Sequence, residues 1–155
     1  MRKGAEELIE RDRVIETVVR LFVSTDQKDW TAVERCFTPQ VRFDMTSVAG
    51  GTPQTVTPKT IADGWREGLA PIDHVHHQVG NFLVELEEAR ATISCYGIAY
   101  HYKERRSGQR TRVFVGSYDF ELVKSDTGAD RNWRIEAMRF NLKFIDGNAA
   151  LEARE

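Results

Sequence analysis

Three of the four histidines in this chain fall at positions 74, 76 and 77, in the stretch DHVHHQVGNF from Asp73 to Phe82. Imidazole changes charge near neutral pH and can act as a base, an acid or a metal ligand. His74 and His76 form an H-x-H pair that, with His101 or a carboxylate as third ligand, would make an open zinc or iron site. That spacing is weakly specific, and neither an H-E-x-x-H nor a clear facial triad accompanies it. The simpler reading of His74 and His76 is a solvated strand entry after Pro71, and no metal is expected. Because alternate strand residues face opposite ways, His76 and His77 cannot both look into one pocket. His77 shares a face with Val79, Asn81 and Leu83, and His76 with Gln78, Phe82 and Val84. A bulge at Gly80 would reverse every later face, so parity alone leaves open which histidine is inward.

His101 lies near the end of the run RATISCYGIAYHYK. One face of that run holds Ala91, Ile93, Cys95, Gly97, Ala99 and His101; the other holds Thr92, Ser94, Tyr96, Ile98, Tyr100 and Tyr102. Small residues on an inward face leave room for a ligand, and a titratable group at the edge of such a space is a functional candidate. A hydrogen-bonded histidine near a strand end fits the pattern equally well. Two aspartates separate by position. Asp29 precedes a helical stripe, so a helix cap accounts for it. Asp26 follows an apolar helix end, where the helix dipole disfavours a negative charge, so it either faces solvent or turns inward as partner to a histidine.

The elements that must hold these residues begin with an amphipathic helix from Ala5 to about Phe22, where Leu8, Ile9, Ile15, Val18, Val19 and Phe22 recur at helical spacing. A short second helix carries Trp30, Val33 and Phe37, a short strand alternates Val41, Phe43 and Met45, and GGTPQTVTP reads as turn. Thr57-Pro58 starts a third helix with Ile61, Trp65 and Leu69 on one side. Four long runs rich in β-branched and aromatic residues follow, joined by EEA, ERRSGQR and SDTGADR, and GNAALEARE is a frayed or helical tail. Helices first and a meander afterwards predict an α+β domain in which a curled and mainly antiparallel sheet wraps around three N-terminal helices. The 155 residues are read as a single domain, with its core at about 5–146.

Composition narrows the partners. With 22 Lys+Arg against 24 Asp+Glu the net charge is -2, which leaves no cationic excess for nucleic acid or an anionic membrane. Cys36 and Cys95 form no zinc or redox spacing. The charged N-terminus lacks an apolar signal region, and no segment reaches the roughly 20 apolar residues of a membrane span, so a cytoplasmic location is expected.

Nearly the whole chain resembles the SnoaL-like branch of the nuclear transport factor 2-like superfamily. The resemblance rests on the first helix, TDQKDWTAVERCFTPQVRFD, HHQVGN, GSYDFEL and NWRI. The D-x-K-D-W segment, and a histidine four residues before Asn81, are similar to those of the scytalone dehydratase and hexachlorocyclohexane dehydrochlorinase type. The resemblance implies a cone-shaped fold of helices and curled sheet enclosing a pocket, and it places the family's Asp-His pair on Asp26 and His77. It matches a second histidine to His101 across a one-residue gap, with Tyr102 as the neighbouring alternative, and puts Tyr118 on a pocket-lining position. Trp30, Met45 and Tyr102 join Tyr118 as expected substrate contacts. Two tyrosines that scytalone dehydratase uses to polarise its substrate fall here on Thr25 and Met45, which puts that particular substrate in doubt.

An Asp-His pair makes chemical sense apart from the family. The carboxylate fixes the tautomer and stabilises the imidazolium, leaving the other ring nitrogen to take a proton. The expectation is a cofactor-independent lyase, performing a dehydratase-like elimination on a small cyclic or aromatic substrate, with His101 or a tyrosine as second proton donor. An isomerase or cyclase would use the same parts, and a non-catalytic domain binding a small ligand would hold Asp26 and His77 as a buried polar pair. Tyr96, Ile98, Tyr100 and Tyr102 on one outer strand face favour a homo-oligomer, a dimer or trimer.

Overall fold

The computed structural model describes residues 2–125 and 133–154. From Asp126 onward the expected connection SDTGADR lies outside the described residues, as does Asn132, read as the start of the last strand.

Helix α1 (Arg2–Asp26) buries Val14, Val18, Leu21 and Phe22, the stripe that its 3.6-residue period aligns. It runs one turn beyond Phe22, so that Asp26 is its last residue. Helix α2 (Trp30–Arg35) starts on the expected cap: the Asp29 carboxylate accepts from the Ala32 N–H at 3.1 Å. Phe37, expected on this helix, instead opens strand β1 (Phe37–Asp44). The reason is long-range, since Phe37 pairs in parallel with Ile135, nearly a hundred residues away. Two short elements were not foreseen. Just before the segment read as turn, α3 (Thr46–Ala49) begins where the Asp44 carboxylate binds the Thr46 N–H and hydroxyl, and within that segment β2 (Gln54–Val56) pairs antiparallel with β1. Helix α4 (Pro58–Leu69) has Pro58 at its start and the Thr57 hydroxyl accepting from the Thr60 N–H.

Strands β3 (His74–Glu87), β4 (Arg90–Tyr102), β5 (Thr111–Lys124) and β6 (Trp133–Gly147) form the meander. The six strands run in the order β2-β1-β6-β5-β4-β3, antiparallel except for the β1–β6 pair. The fold is α+β: N-terminal helices against a mixed sheet that is curled and not closed. Its core lies between α1, α2 and α4 and the concave sheet face, where Phe37, Ile93, Phe120, Leu122 and Ile135 are almost fully enclosed. Cys36 and Cys95 are free thiols in this core, and burial pushes their pKa values up to about 11 and about 12.

Two local features shape the site. In β3 the pairing jumps from Gly80↔Tyr96 to Leu83↔Ser94, and Asn81 takes a left-handed φ of 57°. The bulge exchanges the faces, so His77 and Val79 look inward before it and Phe82, Val84 and Leu86 after it. On β4, Gly97 leaves space for an aromatic ring, because a Cβ there would stand 2.4 Å from the ring of Tyr118.

Candidate active site

The concave face and the helices above it enclose a cavity of about 270 Å³. Its wall is largely apolar, with Phe22 from α1, Met45 and Val48 around α3, Trp65 and Leu69 from α4, and Phe114, Met138 and Phe140 from the sheet. Thr25 also lines it, but its hydroxyl is spent on the Leu21 carbonyl at 2.7 Å. The groups left for chemistry are His77, His101, Arg112, Tyr118 and Glu152. An apolar cleft with a few convergent polar groups has the character of a small-molecule site.

Ending α1 at Asp26 brings its carboxylate to β3. Oδ1 lies 2.6 Å from His77 Nδ1, and Oδ2 accepts from the His77 backbone N–H at 2.9 Å. One carboxylate thereby fixes both the ring and the main chain of a single residue, with the two side chains only 18 % and 12 % exposed. An ionised carboxylate only accepts, so Nδ1 carries a proton, and in the neutral imidazole Nε2 keeps its lone pair. The ring of Phe22 packs on this imidazole at 5.0 Å between centroids.

His101 lies two residues along β4 from Ala99, which pairs with His77. Its Nδ1 is 2.9 Å from Nη2 of Arg112, its partner on β5. Burial, then the charges of Arg112 and His77, pull the His101 pKa down to about 4, against opposing pulls from Glu152 and Asp26. Tyr118 is 5 % exposed and sits between Phe22 and Phe140, at ring distances of 4.8 and 4.7 Å. Burial foremost, with Cys95 and Asp26, pushes its pKa above the ordinary tyrosine range, so the hydroxyl remains a donor. No internal hydrogen bond occupies that hydroxyl among the described residues.

Residues 148–154, the described part of the tail, are neither frayed nor helical. After β6 the chain turns back, buries Leu151 against Leu69, Ile72 and Val75, and brings Glu152 to the cavity wall in an ion pair with Arg112. Arg105 donates to the carbonyls of Leu151 and Ala153, and Lys103 to that of Glu152.

Of the expected site residues, His77, His101, Tyr118 and Met45 line the cavity, and Asp26 stands directly behind His77. Trp30 and Tyr102 are not brought to it. Trp30 packs between the two apolar clusters, while the Tyr102 hydroxyl binds Glu104 at 2.5 Å and its ring faces His74. His74 and His76 are exposed on the outer sheet face, His76 beside Gln78 at 3.2 Å, whereas His101 points inward, so an H-x-H metal site with His101 as its third ligand would straddle the sheet. Arg112, Phe114 and Glu152 were missed. Arg112 and Phe114 share strand parity with Tyr118, a signal that could have found them; Glu152 had none, lying in a polar tail.

No curated protein matches the chain in sequence. Among solved structures, the Kfla4162 protein of Kribbella flavida superposes with a TM-score of 0.86 at 25 % identity, over 94 % of this chain and 98 % of that one. A protein provisionally assigned as a scytalone dehydratase, from Novosphingobium aromaticivorans, gives a TM-score of 0.79 at 13 % identity, over 95 % and 93 % of the two chains. The hexachlorocyclohexane dehydrochlorinase LinA-type3 of Novosphingobium barchaimii gives 0.75 at 10 % identity, over 95 % of each. At such identities the last two likenesses establish a shared fold and nothing more. The sequence model of the SnoaL-like domain matches residues 6–139, most of the chain, and with the helices, sheet and cavity described above it leads to one conclusion: this protein belongs to the SnoaL-like domain family.

Proposed function

We propose that the cavity takes a small hydrophobic or aromatic molecule and that the protein is a cofactor-independent lyase, carrying out a dehydratase-like elimination on a small cyclic or aromatic substrate. The observation that carries this reading is the double grip of Asp26 on His77, which leaves a basic nitrogen on a ring that lines the cavity. The dehydratase and dehydrochlorinase names of two structural neighbours support the same reaction class.

In this scheme Nε2 of His77 removes a proton from a substrate carbon. The C–H electron pair becomes the new C=C bond as the bond to the leaving group breaks. Asp26 stabilises the imidazolium so formed. Tyr118 and His101 supply hydrogen-bond donors, and the Tyr118 hydroxyl can protonate a departing oxygen. Apolar walls strengthen these electrostatic interactions by excluding water.

A positioned general base contributes roughly 10²–10⁴-fold to rate. His77→Ala with its fold retained is therefore expected to lose turnover by that factor on a substrate found by metabolite screening of the wild-type protein. Full activity in that variant would exclude His77 as the base.

A further inference from the structure

A guanidinium offers five N–H donors and no acceptor. The imidazole nitrogen that meets Arg112 Nη2 at 2.9 Å, Nδ1 of His101, must therefore be the unprotonated one. The ring proton then resides on Nε2. This is the reverse of His77, whose Nδ1 proton is held by a carboxylate. Two neighbouring histidines thus receive opposite tautomers from partners of opposite charge.

We propose that Arg112 is a positioning residue that locks His101 as a neutral imidazole protonated on Nε2, making it a fixed hydrogen-bond donor to an oxygen of the bound molecule. The second half of this statement rests on the elimination reading and narrows it. The substrate carries a carbonyl or ionising hydroxyl oxygen near the carbon that loses its proton, and His101 steadies charge on that oxygen without transferring a proton to it. Protonation of the departing group then falls to Tyr118 or to the His77 imidazolium.

Arg112 is built to stay in place. Its side chain is 8 % exposed, its Cζ lies 5.1 Å from the centre of the Phe114 ring, and Nη1 reaches both the Ala149 carbonyl at 3.3 Å and the Glu152 carboxylate. The folded-back end of the chain is thereby part of the site. The charged and titratable groups facing His101 are Arg112 on β5, His77 on β3, Asp26 on α1 and Glu152 beyond β6. Burial, Arg112 and His77 oppose the imidazolium, Glu152 and Asp26 favour it, and the balance lies on the neutral side.

The test is nitrogen NMR of the full chain labelled with ¹⁵N-histidine and free of substrate; a His101→Asn spectrum identifies the relevant signals among the four histidines. The wild-type protein is expected to show His101 with a protonated Nε2 and an unprotonated Nδ1 from pH 8 down to pH 5. In Arg112→Met the two tautomers should mix. The protonation midpoint should also rise by about one pH unit, a tenfold gain in proton affinity, while burial withholds the rest. An Nδ1-protonated or doubly protonated His101 in the wild type at pH 6 overturns the proposal without any substitution. So does a folded Arg112→Met protein with an unchanged His101. Because no substrate is used, the outcome is independent of the turnover test of His77.

Discussion

The proposed chemistry concentrates in three side chains. In that scheme Asp26 orients His77 to accept a proton, Arg112 leaves His101 its proton on Nε2, and burial keeps the Tyr118 hydroxyl intact. His101 also ties stability to pH. Its midpoint falls from 6.5 to about 4 on folding, so between those values the unfolded chain binds a proton that the folded chain refuses. Its contribution is complete above pH 6.5 and is lost as pH falls towards 4, with a magnitude on the order of 3 kcal/mol. Urea titrations across that window should show a flatter dependence in His101→Gln, which cannot titrate; equal steepness in both proteins would exclude this assignment. Strand parity separated His76 from His77, but the resemblance, and not the pattern, chose between them. The inward Asp26 carried a sequence signal in its poor position for a helix end. Glu152 carried none, because it is brought to the cavity by long-range contacts, the burial of its neighbour Leu151 and its ion pair with Arg112.

At the scale of elements, α4 contributes bare backbone to the cavity wall through Gly64 and Gly68. A Cβ at either position meets nothing within 4 Å. Gly64→Ala is therefore expected to stabilise the protein by about 0.5–1 kcal/mol through helix propensity, while its methyl group narrows the cavity and weakens binding of ligands that fill it. Chemical denaturation and ligand titration check the two effects, and a destabilised variant would contradict the first. The starts of α2 and α4 were legible because Asp29 and Thr57-Pro58 are local signals acting within one turn. The beginning of β1 was not, since Phe37 joins a strand through a partner nearly a hundred residues distant. Strand β2 has three residues and exists through its pairing with β1. The β3 bulge could be named at Gly80, but its effect on the faces depended on Asn81 adopting a positive φ.

At the scale of the whole molecule, the order of helices before a meander made the α+β class readable, whereas the curl of the sheet and the folded-back end depend on packing that no local pattern reports. The same curl leaves an outer face carrying Tyr96, Ile98, Tyr100 and Phe144, all exposed, with the Lys143 ammonium 4.0 Å above the Tyr96 ring. Contiguous apolar surface of this kind favours association, and we expect this face to join copies of the chain. Light scattering should give the mass of a dimer or trimer, and Ile98→Glu should lower it. A wild-type mass of 17.8 kDa would rule out self-association.

We propose that His77, held by Asp26, takes a proton from a bound molecule. Incubating the protein in D2O with small cyclic and aromatic compounds that bind the cavity, and following the substrate C–H signal by NMR, tests this step. The wild-type protein should remove that proton, giving the eliminated product or deuterium at the carbon, and His77→Ala should do neither at a comparable rate. A compound that fills the wild-type cavity and keeps every proton, or one that loses its proton equally fast in His77→Ala, would contradict the account.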